Sequence, residues 1–319
     1  AGSDIVLANT FGANALKYTD SKYKLEEIIT HAIENVKKAS SLGVQDGRET
    51  YVALDVGPTG KLLKPMGDLS FDEAYDTFKE IMMIGEKAGA DLIHIETMSD
   101  TYEVKAAVLA AKENTSLPVF VTMIFDEKWK LLTGGNVPAV VALLEGLRVD
   151  VLGINCGLPI LDEIMEYTSL PVIVKPNAGL PKQRNGEVYY DVEPEAFAGY
   201  MEEIVKRGAA LIGGCCGPTP SHIKAMTDRL KKSSAFEERK RTGTTQKTIV
   251  CSYGNAVILG DCPVIIGERI NPTGKKKFKQ ALKEHDLDYI LREGIAQQDA
   301  GAHILDVNVG LPDIDEVKM

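Results

Sequence analysis

Short apolar, β-branched segments alternate with amphipathic helical stretches at a spacing of roughly 30 residues, and few folds admit that alternation. The pattern predicts strands over 5–8, 51–56, 92–95, 119–122, 151–155, 172–175 and 211–213. Helices are predicted over 24–40, 71–87, 101–112, 137–147, 161–167, 195–206 and 221–230. A helix between consecutive strands makes those strands parallel. Three helix-to-strand joints share one device, a glycine near the helix end, in Ala88-Gly89, Gly146-Leu147-Arg148 and Arg207-Gly208.

Seven such units fall one short of the eight that close a barrel of the triosephosphate-isomerase type. Because Ala1 already stands at a helix-to-strand joint, the expected fold is an α/β, TIM-type (β/α)8 barrel lacking its first strand-helix unit. On that reading the strands at 5–8 and 211–213 have unpaired edges. An open doubly wound sheet ranks second, since no Gly-x-Gly-x-x-Gly follows the first strand. The barrel is assigned to 1–231, and 232–260 reads as a linker whose Arg239-Lys240-Arg241 cluster is solvated. Within that linker, two short strands flank Tyr253-Gly254-Asn255. A second α/β pattern occupies 261–319, with a strand at 264–266, a loop at 267–274, a basic helix from Lys275 and a strand at 303–308. Two parallel strands are too few for a sheet, so this segment reads as the first part of a second α/β barrel.

The 319 residues carry a formal charge of -10, which argues against a nucleic-acid surface. No apolar run reaches membrane-spanning length, and the start lacks the layout of a signal peptide. Five cysteines, an odd number with two adjacent, fit a reducing cytoplasm in which thiols are kept for a metal.

Those thiols carry the chemistry. The strand at 211–213 runs into Gly213-Gly214-Cys215-Cys216-Gly217, and the strand at 151–155 runs into Cys156-Gly157. Most single cysteines are small core hydrophobes, as Cys251 and Cys262 are taken to be. Here the flanking glycines permit a close backbone approach that a core strand does not need. Three thiolates from two strand ends would give Zn²⁺ three protein ligands and one open position, the pattern of a catalytic site. Other polar residues gather at the same strand ends: Asn9 and Thr10, Asp55, Glu96, and Asn177 in Pro176-Asn177-Ala178-Gly179. Asn9, Thr10, Glu96 and Asn177 are the candidate substrate-binding residues. No histidine is poised as a general base: His94 reads as a mid-strand core residue, and His222 as a helix-start residue ahead of a support for a metal ligand.

Gly213-Gly214-Cys215-Cys216-Gly217 together with Gly153-Ile154-Asn155-Cys156-Gly157 resembles the homocysteine S-methyltransferase family. Ile266-Gly267-Glu268-Arg269-Ile270-Asn271-Pro272-Thr273-Gly274 with Leu305-Asp306-Val307-Asn308-Val309-Gly310 looks like the start of a pterin-binding domain, and the order of the two is similar to the N-terminal half of the cobalamin-dependent methionine synthase family. The resemblance implies that Cys156, Cys215 and Cys216 bind zinc and that Glu96 holds the amino group of homocysteine. It places Glu268, Asn271, Asp306 and Asn308 on the folate side. It further implies methylcobalamin as methyl donor, carried by a cobalamin-binding domain outside this sequence and recharged from methyltetrahydrofolate. Two rival readings are a homocysteine methyltransferase fed by betaine or S-methylmethionine, and a non-catalytic zinc-binding fragment. The chain departs from the family in lacking an initial strand ending in Asp-Gly, and in a short 157–171 segment, which shortens the helix after Cys156.

Overall fold

The computed structural model describes residues 1–19, 21–43, 49–155, 160–184, 186–240, 247–260, 262–312 and 314–319. The chain divides into two compact units. One comprises residues 1–246 with 251–256, and the other 247–250 with 257–319.

In the first unit, β1 (Ile5–Leu7), β2 (Tyr51–Val56), β3 (Leu92–Met98), β4 (Val119–Met123), β5 (Val151–Asn155), β6 (Val172–Lys175) and β9 (Leu211–Ile212) form one seven-stranded sheet in that order. Every neighbouring pair is parallel. Helices α1 (Leu25–Gly43), α2 (Phe71–Lys87), α3 (Thr101–Asn114), α4 (Val137–Gly146), α5 (Leu161–Tyr167), α6 (Pro194–Arg207) and α7 (Pro220–Leu230) follow the strands in turn. The sheet curls: Thr227 Oγ1 on α7 donates to Ala1 O at 3.1 Å, bringing the approach to β1 beside the helix that follows β9. β1 and β9 are the terminal strands of the sheet and are less buried than the strands between them. An apolar groove of about 430 Å³ runs between β1 and α1.

The expected alternation of strand and helix is present throughout this unit, with the helix after β5 reduced to seven residues. Two details differ at the joints. Gly89 and Gly208 take the left-handed conformations expected of them, with φ 87° and 133°, but at the third joint Arg148, not Gly146, does so, with φ 58°. The other surplus is between β6 and α6, where the exposed strands β7 (Lys182–Arg184) and β8 (Glu187–Tyr189) pair antiparallel. After α7 come α8 (Ala235–Glu238) and a two-stranded sheet of β10 (Thr248–Cys251) and β11 (Ala256–Leu259), the two strands expected around Tyr253.

Register decides which side chains meet inside the curl. The pairs Asp55↔His94, His94↔Phe120, Thr122↔Gly153, Asn155↔Lys175 and Ile173↔Leu211 fall on one face. Leu54, Ile93, Val121, Leu152 and Val174 point the other way, are buried, and join the helices in one core. Strands buried on both faces are ordinary in parallel sheets. Here the inner face turns polar at its C-terminal end.

The second unit holds β12 (Ile266–Ile270) parallel to β13 (Ile304–Val307), with α9 (Lys276–Glu284) and α10 (Leu287–Asp299) between them. Its own small core is Ile270, Phe278, Leu282 and Leu311. The sequence pattern contained α9 but passed over α10.

Candidate active site

The site is assembled from the C-terminal ends of β2, β3, β5, β6 and β9. Asp55 ends the inner face of β2, and Thr10 locks its backbone in both directions: Thr10 Oγ1 donates to Asp55 O at 2.8 Å and accepts from Asp55 N at 3.0 Å. On β3, His94 and Glu96 face Lys175 of β6. Lys175 Nζ donates to Glu96 and lies 3.3 Å from His94 Nε2, which is itself 3.3 Å from Glu96 Oε2. All five side chains are buried.

Their environments separate the two carboxyls. Burial, then the charge of Glu96, pushes Asp55 up to about 8. Burial alone would raise Glu96 too, but the hydrogen bond from His94 and the charge of Lys175 hold it down to about 2. At neutral pH Glu96 is a carboxylate and Asp55 a carboxylic acid. Burial lowers His94, which stays neutral.

The cysteines stand beside this cluster. Asn155 ends β5 and donates through Nδ2 to Thr97 Oγ1 at 2.5 Å and to Cys215 Sγ at 3.6 Å. Thr97 has φ 65°, an unusual conformation for a β-branched residue, held where β3 bulges toward Met98. Cys215 N donates to Pro176 O at 3.0 Å, and Cys216 N donates to Asn177 Oδ1 at 2.9 Å. The thiols of Cys215 and Cys216 lie 3.7 Å apart. Two sulfurs at Zn–S distances of about 2.3 Å around a tetrahedral ion are separated by about 3.8 Å, so this pair fits a shared zinc ion. Burial, then the charge of Cys215, raises Cys216, which makes an uncompensated second thiolate costly without a cation. Cys156 lies outside the described residues; it follows Asn155 directly, and Asn155 touches Cys215. Among the described residues no group of three metal-ligating side chains is present.

Glycines make the turn possible. A Cβ on Gly217, at φ 95°, would come within 2.5 Å of the Tyr190 ring, and one on Gly153 would come 1.8 Å from Ile173 O.

Buried polar atoms converge here. Among the described residues, Asp55 Oδ1, His94 Nδ1, Thr122 Oγ1 and Asn155 Oδ1 have no hydrogen-bond partner, and by register all four belong to the inner face. Buried polar groups are otherwise nearly always paired, so the concentration marks a place for a polar ligand.

The sequence model of the homocysteine S-methyltransferase family matches residues 1–230. The chain belongs to that family. A methionine synthase of Mycobacterium leprae is 30% identical over 97% of this chain, and one of Mycobacterium tuberculosis 31% identical over 97%. The chain spans 27% of the length of each. The metallated form of the Escherichia coli homocysteine methyltransferase MmuM superposes with a TM-score of 0.60 at 25% identity, covering 72% of this chain and 80% of that one. The apo form gives 0.57 at 26%, with the same coverage.

Within this family member, the structure brings Glu96 and Asn177 to the cysteine pair and ties Thr10 to Asp55, while Asn9 is exposed and lines the groove beside α1. Thr10 and Asn177 are engaged with the protein itself, supporting Asp55 and Cys216. His94 is buried, as expected of a mid-strand residue, yet it belongs to the polar cluster. His222 caps its own helix: Thr219 N donates to Nδ1 at 3.1 Å, and Nε2 bonds to Val192 O at 2.8 Å, so both ring nitrogens are used. Lys175 and Asp55 are the residues to which sequence reasoning gave no role. Their signal was a charge closing an otherwise apolar strand, in Val172-Ile173-Val174-Lys175 and Leu54-Asp55-Val56.

In the second unit, Glu268 and Asn271 bond to each other at the end of β12, and Asn308 Oδ1 accepts from Gly310 N at 2.8 Å just past β13. Asp306 is exposed within β13.

Proposed function

We propose that the chain transfers a methyl group to the thiol of homocysteine, giving methionine. The observation that carries this reading is the Cys215–Cys216 pair at zinc-sharing distance, set beside the residue that precedes Cys156. Cys156, Cys215 and Cys216 would hold the ion. Bound there, Zn²⁺ would supply one thing, a lowered pKa for the substrate thiol, which is otherwise mostly protonated at neutral pH.

The chain's own residues do the rest. Glu96, kept ionised by Lys175 and His94, offers a carboxylate to the substrate ammonium, and Asp55 Oδ1 and Asn155 Oδ1 are further acceptors at the same mouth. Thr10 and Asn177 serve the substrate through the residues they fix. Methyl transfer to a deprotonated thiol requires no side chain to remove a proton in the transfer step, which agrees with a neutral, buried His94.

The donor we assign is methylcobalamin, carried by a cobalamin-binding domain and recharged from methyltetrahydrofolate at Glu268, Asn271, Asp306 and Asn308, in a second α/β barrel of which 261–319 is the first part. Support comes from the methionine synthase matches, which run through both units and not only the first. The test is methionine formation by zinc-loaded chain from homocysteine with methylcobalamin, S-methylmethionine or betaine. Turnover with either of the last two and none with methylcobalamin would overturn the donor. Zinc uptake without turnover from any donor would leave a non-catalytic zinc protein.

A further inference from the structure

We propose that Lys175 binds the α-carboxylate of the amino-acid substrate, forming with Glu96 a two-charge cradle for a zwitterion. The inference rests on reading the site as a homocysteine site.

Lys175 occupies a position that packing alone would give to an apolar residue. It closes Val172-Ile173-Val174, is 6% exposed, and sits on the inner face in register with Asn155. An ammonium withdrawn from water is costly, and pairing with a buried carboxylate seldom does more than offset that cost. A buried ion pair is therefore weak as a stability device, and its place in the mouth of the site asks for another use.

The geometry supplies one. A lysine ammonium has three N–H donors. One is directed to Glu96; His94 Nε2, 3.3 Å away, spends its own proton on the same carboxylate, so the other two have no acceptor among the described residues. Close by are acceptors that lack donors among the described residues, Asp55 Oδ1 and Asn155 Oδ1, in residues 6% and 1% exposed. A spare cationic donor and spare acceptors on one face match a ligand with both a carboxylate and an ammonium. Asn155 links them to the sulfur end, since its Nδ2 reaches Cys215 Sγ. A thiol, an ammonium and a carboxylate are the three polar groups of homocysteine.

The experiment measures binding, not turnover. Zinc-loaded chain is titrated calorimetrically with homocysteine, with 3-aminopropane-1-thiol, which lacks the carboxylate, and with 4-sulfanylbutanoate, which lacks the ammonium. Lys175→Gln should weaken homocysteine about 10- to 100-fold, the range of one charge-assisted hydrogen bond. It should leave 3-aminopropane-1-thiol within about twofold, and Lys175→Arg should restore most of the loss. Equal weakening of both ligands would mean that Lys175 acts only by holding Glu96, and would overturn the proposal. Should Lys175→Gln fail to fold, E96Q/K175Q compared with E96Q carries the same test, because the double variant leaves no unpaired buried charge. Wild-type chain that binds none of the three thiols would overturn the homocysteine reading as well. Binding of homocysteine with an unchanged preference in Lys175→Gln overturns this inference alone.

Discussion

Asp55 and Glu96 are carboxyls on one inner face whose surroundings drive their protonation apart, and that has a consequence for stability. Asp55 titrates near 3.8 when unfolded and about 8 when folded. A raised folded value contributes most below 3.8, and the contribution is lost as pH rises to about 8. Glu96 has the opposite sign: its contribution is present above 4.5 and lost as pH falls toward about 2. Denaturation midpoints should therefore decline between pH 3.8 and about 8, and Asp55→Asn should flatten that decline. An unchanged slope in Asp55→Asn would remove Asp55 as its source. The thiols give a second prediction: alanine at Cys156, Cys215 or Cys216 should lower zinc affinity by more than about 100-fold, since even outer supports of a metal cost 10- to 100-fold. Cys251→Ala should retain the metal, and equal zinc in all four variants would refute the ligand assignment. The turn that brings Cys215 and Cys216 together was legible because glycines flank it. Lys175 and His94 were not, because a charge closing an apolar strand, or a histidine within one, says nothing of its partner, and its role appears only when register sets β3 against β6.

At the scale of elements, period-2 apolar runs and helical stripes located every strand of the large sheet, because burial on both faces leaves a strong signal. Elements with little buried surface escaped it: the exposed β7–β8 hairpin, and α10, where Leu287, Leu291 and Ile295 are exposed. The sequence also credited Gly146 with the turn that Arg148 makes. Glycine's part differs sharply between two positions as a result. On β5, a methyl at Gly153 would meet Ile173 O at 1.8 Å, so β5 and β6 could not keep their spacing. Gly153→Ala should cost about 3 kcal/mol or more and displace Asn155 with it. Gly146→Ala, with nothing within 4 Å and no positive φ, should be neutral or stabilising by up to about 1 kcal/mol. Urea denaturation of the two variants checks both signs.

For the whole molecule, the division into units does not follow the order of the chain. Residues 251–256, the tip of the β10–β11 sheet, belong with the unit that carries Cys215 and Cys216, although 247–250 and 257–259 do not. Composition had marked this region as linker, and no sequence signal reveals why its tip is held. The contacts do. Asp100 Oδ1 caps α3 by accepting from Tyr102 N and Glu103 N, while its Oδ2 accepts from Tyr253 Oη at 2.9 Å. Thr101 Oγ1 donates to Tyr253 O at 2.8 Å, Asn136 N donates to Gly254 O at 3.3 Å, and the Tyr102 and Tyr253 rings meet edge to face at 4.4 Å. Burial, with the Asp100 bond, pushes Tyr253 up to about 12, so its hydroxyl remains a donor at any pH of interest. Three hydrogen bonds, one of them to a carboxylate, and an aromatic pair should together contribute about 2–4 kcal/mol. A chain ending at Lys240 should therefore unfold at lower urea than one ending at Gly260, and Tyr253→Phe in the longer chain should fall between them. Both lengths retain Cys156, Cys215 and Cys216 and should bind zinc. Coincident urea midpoints for the two lengths would show that the tip rests on α3 without holding it, and the β3–α3 turn would then owe its position to the Asn155–Thr97 bond and to the Asp100 cap.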